Sequence, residues 1–327
     1  MLFIEDFCKT ILQKELYVHC QMKGQRWCQM TVLVTGAAGM LGTSLVPILS
    51  KEDHTVLATD INLLSDSVKK LDVRNLEEML EKARDFHPHI VAHLAAETDL
   101  ETCERNAEYA YKENFIGTQN ACVVCSELSI PLVYISTAGV FDGTKAEPYT
   151  EFDEPNPINV YGASKFHGER IVRELHPHHF IVRAGWMVGG GERDKKFVSK
   201  IIHQLESGSK TIHAVTDRYG TPTYAPAFSE ILEKLMKTRL FGTYHLACKG
   251  RASRYDVAAE MLRILGRKDV ELKAVASEFF SKEYFAPRPV SEEMRNFVLE
   301  LRSMNDMPPW KEALEEYLKR HFAEHFE

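Results

Sequence analysis

The feature that most constrains this chain is a junction near residue 31. The β-branched run Thr31-Val32-Leu33-Val34-Thr35 ends directly on Gly36-Ala37-Ala38-Gly39-Met40-Leu41-Gly42, and a helix-like stretch follows through Leu49. A strand, a G-x-x-G-x-x-G turn and a helix in that order bring bare backbone N–H groups to the mouth of a helix N-terminus. That end of a helix carries partial positive charge, so the amides of Gly36, Gly39, Met40, Leu41 and Gly42 form a cradle for a pyrophosphate.

The pattern after the junction extends the same plan. A second strand is expected over 54–60, a charged amphipathic helix over 75–86 and a third strand over 89–94. A long helix over 113–128 and a fourth strand over 132–136 follow. Strands alternating with helices predict a parallel sheet covered on both faces, and the all-apolar runs 32–34 and 133–135 suit central strands. After Arg183 the order loosens. Helices are expected near 195–205, 226–237 and 254–265, with a turn at Tyr219-Gly220-Thr221-Pro222. A closing helix from Pro308-Pro309 places Trp310, Leu314, Tyr317 and Leu318 on one face. The expected fold class is α/β, a doubly wound parallel (Rossmann) sheet with a smaller C-terminal substrate-binding lobe. The expected division is an N-terminal extension over 1–30, a dinucleotide-binding domain over 31–183, and a lobe over 184–327 from which some segments return to the sheet.

Composition excludes other classes. The formal charge of −7 argues against a non-specific nucleic-acid binder or a basic membrane-surface protein. With 44% apolar and 27% charged residues the chain is an ordinary globular one, and no apolar run reaches membrane-span length. Seven scattered cysteines form no disulfide framework and suit a reducing compartment, taken here as the cytoplasm. Residues 1–30 hold Cys8, Cys20 and Cys28 and lack the basic start and unbroken apolar stretch of a secretory signal. Phe3, Phe7, Ile11 and Leu12 have the spacing of a short amphipathic helix, and an appended segment is the expected role. No metal site is expected. Cys122 and Cys125 suit core packing, and His176, His178 and His179 around Pro177 suit a solvated turn.

Two further groups of residues suggest chemistry. Asp60 lies 18 residues beyond Gly42 at the end of the second strand. A carboxylate there accepts hydrogen bonds from the adenosine ribose and repels a 2′-phosphate, which favours NAD(H) while leaving NADP(H) admissible. Asp72-Val73, in a strand-like stretch, is placed toward the adenine edge. Tyr161 and Lys165, four apart, share one helix face. Carbonyl reduction uses such a pair: the oxygen that receives hydride at its carbon needs a proton, and a tyrosine, with a pKa of about 10, needs a nearby ammonium to supply it. Thr137, at the end of the fourth strand and 24 residues before Tyr161, can donate to the same oxygen. Asn114, at the start of the long helix, can anchor a water-linked proton path to Lys165.

With these motifs in place, the chain resembles an extended short-chain dehydrogenase/reductase, and within that superfamily the dTDP-4-dehydrorhamnose reductase family. The resemblance rests on the Gly36/Gly39/Gly42 loop, His93-Leu94-Ala95-Ala96-Glu97-Thr98 and Asn114-Phe115-Ile116-Gly117-Thr118. It continues through Ser136-Thr137, Val140-Phe141-Asp142-Gly143, Tyr161-Gly162-Ala163-Ser164-Lys165 and Gly168-Glu169. Val182-Arg183 with Trp186, Gly220-Thr221-Pro222-Thr223-Tyr224 and Arg288-Pro289 complete it. It implies NAD(P)H-dependent reduction of a nucleotide-linked 4-keto-6-deoxysugar in deoxysugar biosynthesis. Thr137, Tyr161, Lys165 and Asn114 would be catalytic, Ala95 and Ala96 would meet the cofactor, and Thr98, Val140, Phe141, Trp186 and Arg288 would meet the sugar nucleotide. The implied partners are that nucleotide sugar and a second copy in a homodimer, with no nucleic acid and no membrane.

The chain departs from the family at Ala138-Gly139, where Asp-Tyr follows the threonine, and at Val188, where a tyrosine is usual. Two alternatives remain open from sequence. A nucleotide-sugar epimerase or dehydratase shares the apparatus, although dehydratases place an acidic pair where Ala138-Gly139 stands. A non-catalytic dinucleotide-binding subunit, like that of methionine adenosyltransferase, suits the altered pocket but not the intact tyrosine, lysine and threonine.

Overall fold

The computed structural model describes residues 29–63, 65–191, 194 and 196–323. The expectations for Phe3, Phe7, Ile11, Leu12, Cys8, Cys20 and Cys28 lie outside the described residues. Six strands of the main sheet come first in the chain: β1 (Thr31–Thr35), β2 (Thr55–Asp60), β3 (Lys69–Lys70), β4 (Ile90–His93), β5 (Leu132–Thr137) and β6 (His179–Ala184). The lobe contributes β7 (Trp186–Val188), β8 (Thr211–Val215), β9 (Tyr219–Gly220) and β10 (Pro222–Tyr224). Then come β11 (Gly242–Leu246), β12 (Ala252–Ser253) and β13 (Glu271–Val275).

Seven strands form one parallel sheet in the order β11-β6-β5-β4-β1-β2-β3. The chain therefore runs outward from β1 to one edge, returns past β1, and builds the other side. This leaves a crevice between the carboxyl ends of β1 and β4, where α/β sheets bind ligands. The last strand, β11, comes from well beyond Arg183 and extends the sheet beside β6.

Period-two burial explains why the strands are apolar throughout. Val32 and Val34 enter one core cluster, with Leu45 and Leu49 of the helix Gly42–Lys51 and Phe228 and Leu232 of the helix Ala225–Met236. Leu33 between them enters the opposite cluster with Leu80, Ala121, Cys122, Cys125 and Val172. That second cluster lies under the helices Leu76–Phe86, Gly117–Leu128 and Val160–Leu175. Each such buried side chain contributes roughly 1.5–3 kcal/mol relative to exposure. Trp310, Leu314, Tyr317 and Leu318 of the final helix, Trp310–His321, are all buried.

Several local expectations need correction. The short strand before the helix 76–86 is Lys69–Lys70, whereas Asp72-Val73 lies beyond it in the loop. The 219–222 segment is not a simple turn: β9 pairs with β12 and β10 with β7. His176 is buried against Ser126 Oγ at 3.1 Å, so only its neighbour His178 is solvated. The long helix is interrupted: Gly117–Leu128 follows one π-helical turn, Lys112–Ile116, and two short helices, Leu100–Arg105 and Ala107–Tyr111, precede that turn. No helix among the described residues is long and apolar enough to cross a membrane.

Candidate active site

The glycine loop is built as its sequence requires. Gly36 has φ of +70°, and a Cβ there would lie 2.5 Å from Ala95 N. One at Gly42 would lie 2.5 Å from the Ala37 backbone. Only bare backbone fits, so β1 and the segment after β4 approach each other closely at the crevice. Ala95 stands opposite the loop for that reason, and Ala96, half-buried, follows it in the chain. No side chain caps the helix Gly42–Lys51, and the N–H groups of Thr43, Ser44 and Leu45 bond back to the Gly39 and Leu41 carbonyls. The anion site therefore rests on the loop just ahead of them and on the positive end of the helix. Met40 is half-buried beside Gly189 and Gly190, while the Leu41 side chain is buried in the core and offers only its backbone.

Asp60 ends β2 next to the loop. Its Oδ2 accepts from Ala38 N at 3.0 Å and its Oδ1 from Asn62 N at 2.8 Å. These bonds fix the carboxylate against the phosphate cradle and leave further lone pairs on both oxygens. Asp72 is engaged otherwise: Arg74 grips it at 2.6 and 2.8 Å and also reaches Glu113 at 2.7 Å. The Arg74 hydrogen bonds hold the Asp72 carboxyl below the usual range. Val73 is buried, and its carbonyl accepts from Asn120 Nδ2 at 2.9 Å. Backbone rather than side chain is what Val73 can present.

The helix Val160–Leu175 begins on Asn159, whose Oδ1 accepts from Gly162 N at 2.7 Å. Its Nδ2 donates to Pro287 O at 2.8 Å, so one side chain fixes both the helix and a lobe segment. Tyr161 and Lys165 project from one face of this helix toward the end of β5. Thr137 Oγ1 accepts from Gly139 N at 3.0 Å, which directs the hydroxyl proton outward. Tyr161 lies beside Thr137; burial pushes its phenol up to about 12, with the Thr137 hydroxyl pulling the other way. Lys165 is buried with Nζ 4.2 Å above the Tyr134 ring, and Tyr134 Oη donates to Lys165 O at 3.0 Å. Burial pushes the ammonium down to about 7, opposed by the Glu169 charge. Burial thus moves the two groups apart, holding the Tyr161 phenol protonated as a proton donor requires and making the Lys165 ammonium the easier of the two to lose.

Behind this pair lies a charged network. Glu169 accepts from Arg183 Nε at 2.8 Å and Nη2 at 2.7 Å, from Arg173 Nη2 at 2.8 Å and from Ser136 Oγ at 2.6 Å. Burial raises the Glu169 pKa, but the Arg183 bonds and charge prevail and hold it below the usual value. Ser136 thus faces the network, while Thr137 faces the crevice. Asn114 sits in the π-helical turn, not at a helix start. Its Oδ1 accepts from Glu97 N at 2.8 Å, and its Nδ2 donates to Glu97 O at 3.1 Å and Ser164 Oγ at 2.9 Å. It reaches the Tyr161/Lys165 helix through Ser164 and makes no direct bond to Lys165.

The residues expected at the sugar end divide. Thr98 is exposed and receives Lys196 Nζ at 3.3 Å. Arg288 donates to Glu101 Oε1 at 2.7 Å beside the Tyr284 ring. Trp186 donates from Nε1 to Glu292 Oε2 at 2.7 Å and lies under the Arg254 guanidinium at 3.7 Å. A Cβ on Gly220 would strike the Trp186 ring at 2.3 Å, which explains the glycine there. Val140 and Phe141 are a correction: both are inaccessible, and Phe141 stacks on Tyr149 at 4.1 Å, so their side chains support the cleft from beneath rather than line it. Sequence reasoning missed Lys196, Arg254 and Glu292. Their only signal was charge at positions that read as solvated, on a helix N-terminus or in the Glu292-Glu293 pair. Among the described residues no group of three His, Cys, Asp or Glu side chains could hold a metal ion.

Comparison with known proteins fits this geometry. A family model described as the RmlD substrate binding domain matches residues 30–322. The chain is 34% identical over 257 residues to dTDP-4-keto-6-deoxy-D-glucose reductase of Streptomyces niveus, covering 78% of this chain and 86% of that protein. Among solved structures it is similar to a dTDP-4-dehydrorhamnose reductase from Clostridium acetobutylicum, with TM-score 0.82, 35% identity and coverage of 89% and 99%. It is also similar to the dTDP-4-dehydrorhamnose reductase of Bacillus anthracis in complex with NADP, with TM-score 0.83, 34% identity and the same coverage.

Proposed function

The chain belongs to the RmlD substrate-binding family, and from that premise we propose that it is an NAD(P)H-dependent reductase of a nucleotide-linked 4-keto-6-deoxysugar. The observation that carries this reading is the convergence of Thr137, Tyr161 and Lys165 at the carboxyl end of β5, on the crevice that the glycine loop also borders. The names of its relatives support the substrate class.

The residues present fit a dinucleotide. The Gly36–Gly42 loop and the uncapped helix would hold the pyrophosphate, Asp60 the adenosine ribose, and Lys165 the nicotinamide ribose. When bound, the nicotinamide supplies a hydride to the sugar carbonyl carbon. Tyr161 Oη donates the proton that the carbonyl oxygen then needs, and the Thr137 hydroxyl donates a hydrogen bond to the same oxygen. The Lys165 ammonium lowers the cost of the resulting phenolate. A general acid so placed contributes about 10²–10⁴-fold. Asn114 keeps the Glu97 backbone and the Tyr161 helix in register. Trp186 and Arg288 would meet the sugar nucleotide, with Thr98 at the rim beside Lys196. Asp60 favours NADH, with NADPH admitted.

In this reading residues 31–183 and β11 carry the cofactor and most of 184–327 forms the substrate lobe. The protein works in the cytoplasm as a homodimer without nucleic-acid or membrane partners. Ala138-Gly139 lacks the acidic pair a dehydratase would need after the threonine. The test is a panel of 4-keto-6-deoxysugar nucleotides with NADH and NADPH followed separately by absorbance. Steady oxidation with at least one sugar is expected. No turnover across the panel would refute the proposal and favour a purely regulatory protein.

A further inference from the structure

Glu292 is a carboxylate near Thr137 and Tyr161 to which the reductase scheme gives no task. Its backbone N–H donates to Tyr219 O at 2.8 Å, and its Oε2 accepts from Trp186 Nε1 at 2.7 Å. Both ends of the residue are therefore fixed. Oε1 has no hydrogen-bond partner among the described residues, although burial raises the Glu292 pKa and so marks its charge as costly to leave unpaired. This oxygen faces Gly139. A Cβ added at Gly139 would lie 3.4 Å from Glu292 Oε1 and also 3.4 Å from Thr137 Oγ1. Both are ordinary contacts, and the Gly139 φ is not positive, so neither space nor backbone demands glycine here. The missing side chain leaves an open slot with the Thr137 hydroxyl on one side and a carboxylate oxygen on the other.

We propose that this slot receives the hydroxyl next to the reacting carbonyl of the sugar, and that Glu292 Oε1 accepts its hydrogen bond. The inference rests on the reductase reading, which puts the carbonyl oxygen between Thr137 and Tyr161. The neighbouring ring substituent then falls toward Gly139. The selected substrates are 4-ketosugars with a free hydroxyl at the adjacent carbon, over the deoxy and O-methyl counterparts. Arg254 and Arg288 lie within electrostatic reach of the carboxylate and favour its charged, hydrogen-bond-accepting form.

The experiment compares kcat and KM of the parent, Glu292→Gln and Glu292→Ala on a dTDP-4-keto-6-deoxyhexose and on its 3-deoxy analogue. A hydrogen bond to a charged group predicts a parent preference for the 3-hydroxy sugar of about 10- to 100-fold in kcat/KM. Glu292→Ala should lose that factor on the 3-hydroxy sugar, mainly through KM, and lose little on the 3-deoxy sugar. Glu292→Gln preserves shape and the bond from Trp186, and should also narrow the preference. A preference unchanged in active Glu292→Gln would overturn the role of Glu292 alone. A parent that reduces neither sugar nor any other 4-ketosugar nucleotide would refute the reductase reading, and this inference with it.

Discussion

Removing the charge on Glu169 tests both the stability of the site and its chemistry. Glu169→Gln keeps the shape but leaves the Arg183 guanidinium, 1% exposed, without a counter-charge. Breaking one side of a buried pair costs roughly 3–5 kcal/mol. The Arg173 contact, 37% exposed at the arginine side chain, adds only about 0–1 kcal/mol. Urea unfolding should therefore show a loss of about 3–5 kcal/mol for Glu169→Gln and a small one for Arg173→Ala. Replacing Glu169 and Arg183 together by methionine should recover most of the loss, because no unpaired charge remains. The same variant shifts the lysine. Burial depresses the Lys165 ammonium to about 7 and the Glu169 charge opposes that depression. Without the charge the ammonium is lost at lower pH, so the alkaline limb of kcat/KM should move to lower pH. A loss below about 1 kcal/mol, no recovery in the double variant, or an alkaline limb that moves upward would refute this reasoning.

Other expectations follow from the same geometry. Tyr161→Phe should lower kcat by about two to four orders of magnitude while cofactor still binds by fluorescence; retention of half the activity would exclude Tyr161 as the proton donor. Asp60→Ala should raise NADPH affinity relative to NADH by about ten-fold or more, since a carboxylate beside a 2′-phosphate costs on the order of 1.4 kcal/mol or more. Equal cofactor affinities in the parent would show that Asp60 only holds Ala38 and Asn62. Lys165 has a folded pKa below its unfolded value of 10.5, so its burial penalty is complete below about 7 and relieved as pH rises toward 10.5. Lys165→Met should thus gain stability over the parent at about pH 6 and lose that advantage near pH 9.5, measured by urea midpoints at both. An advantage independent of pH would contradict the assigned shift.

Much of this was legible in the sequence because the informative signals are local and periodic. The β1–glycine–helix junction and the four-residue step from Tyr161 to Lys165 are both of that kind. The charge network was legible only as motif fragments, because Glu169, Arg183 and Ser136 meet through the stacking of β5, β6 and a helix. The sugar end was the least legible. Glu292 meets Trp186 across 106 residues, and two adjacent glutamates look solvated until the fold half-buries both and turns one onto the tryptophan. Val140 and Phe141 failed for the reverse reason: proximity in sequence to Thr137 does not say which face of the short helical turn Ala138–Val140 turns inward.

The π-helical turn at Lys112–Ile116 has a consequence for how this molecule can change over time. A π-turn holds one more residue than the α-helical turn it replaces, and each residue rotates a helix by about 100°. The helical residues before Lys112 and those after Ile116 therefore follow two different wheels. The downstream wheel keeps Ala121, Val124 and Cys125 against the sheet, while Asn114, inside the extra turn, points its side chain at Glu97 and Ser164. A single inserted residue acts as a phase shifter between core and cleft. It lets a lineage re-aim one polar side chain by a third of a turn without moving a strand, a route that substitution alone does not open.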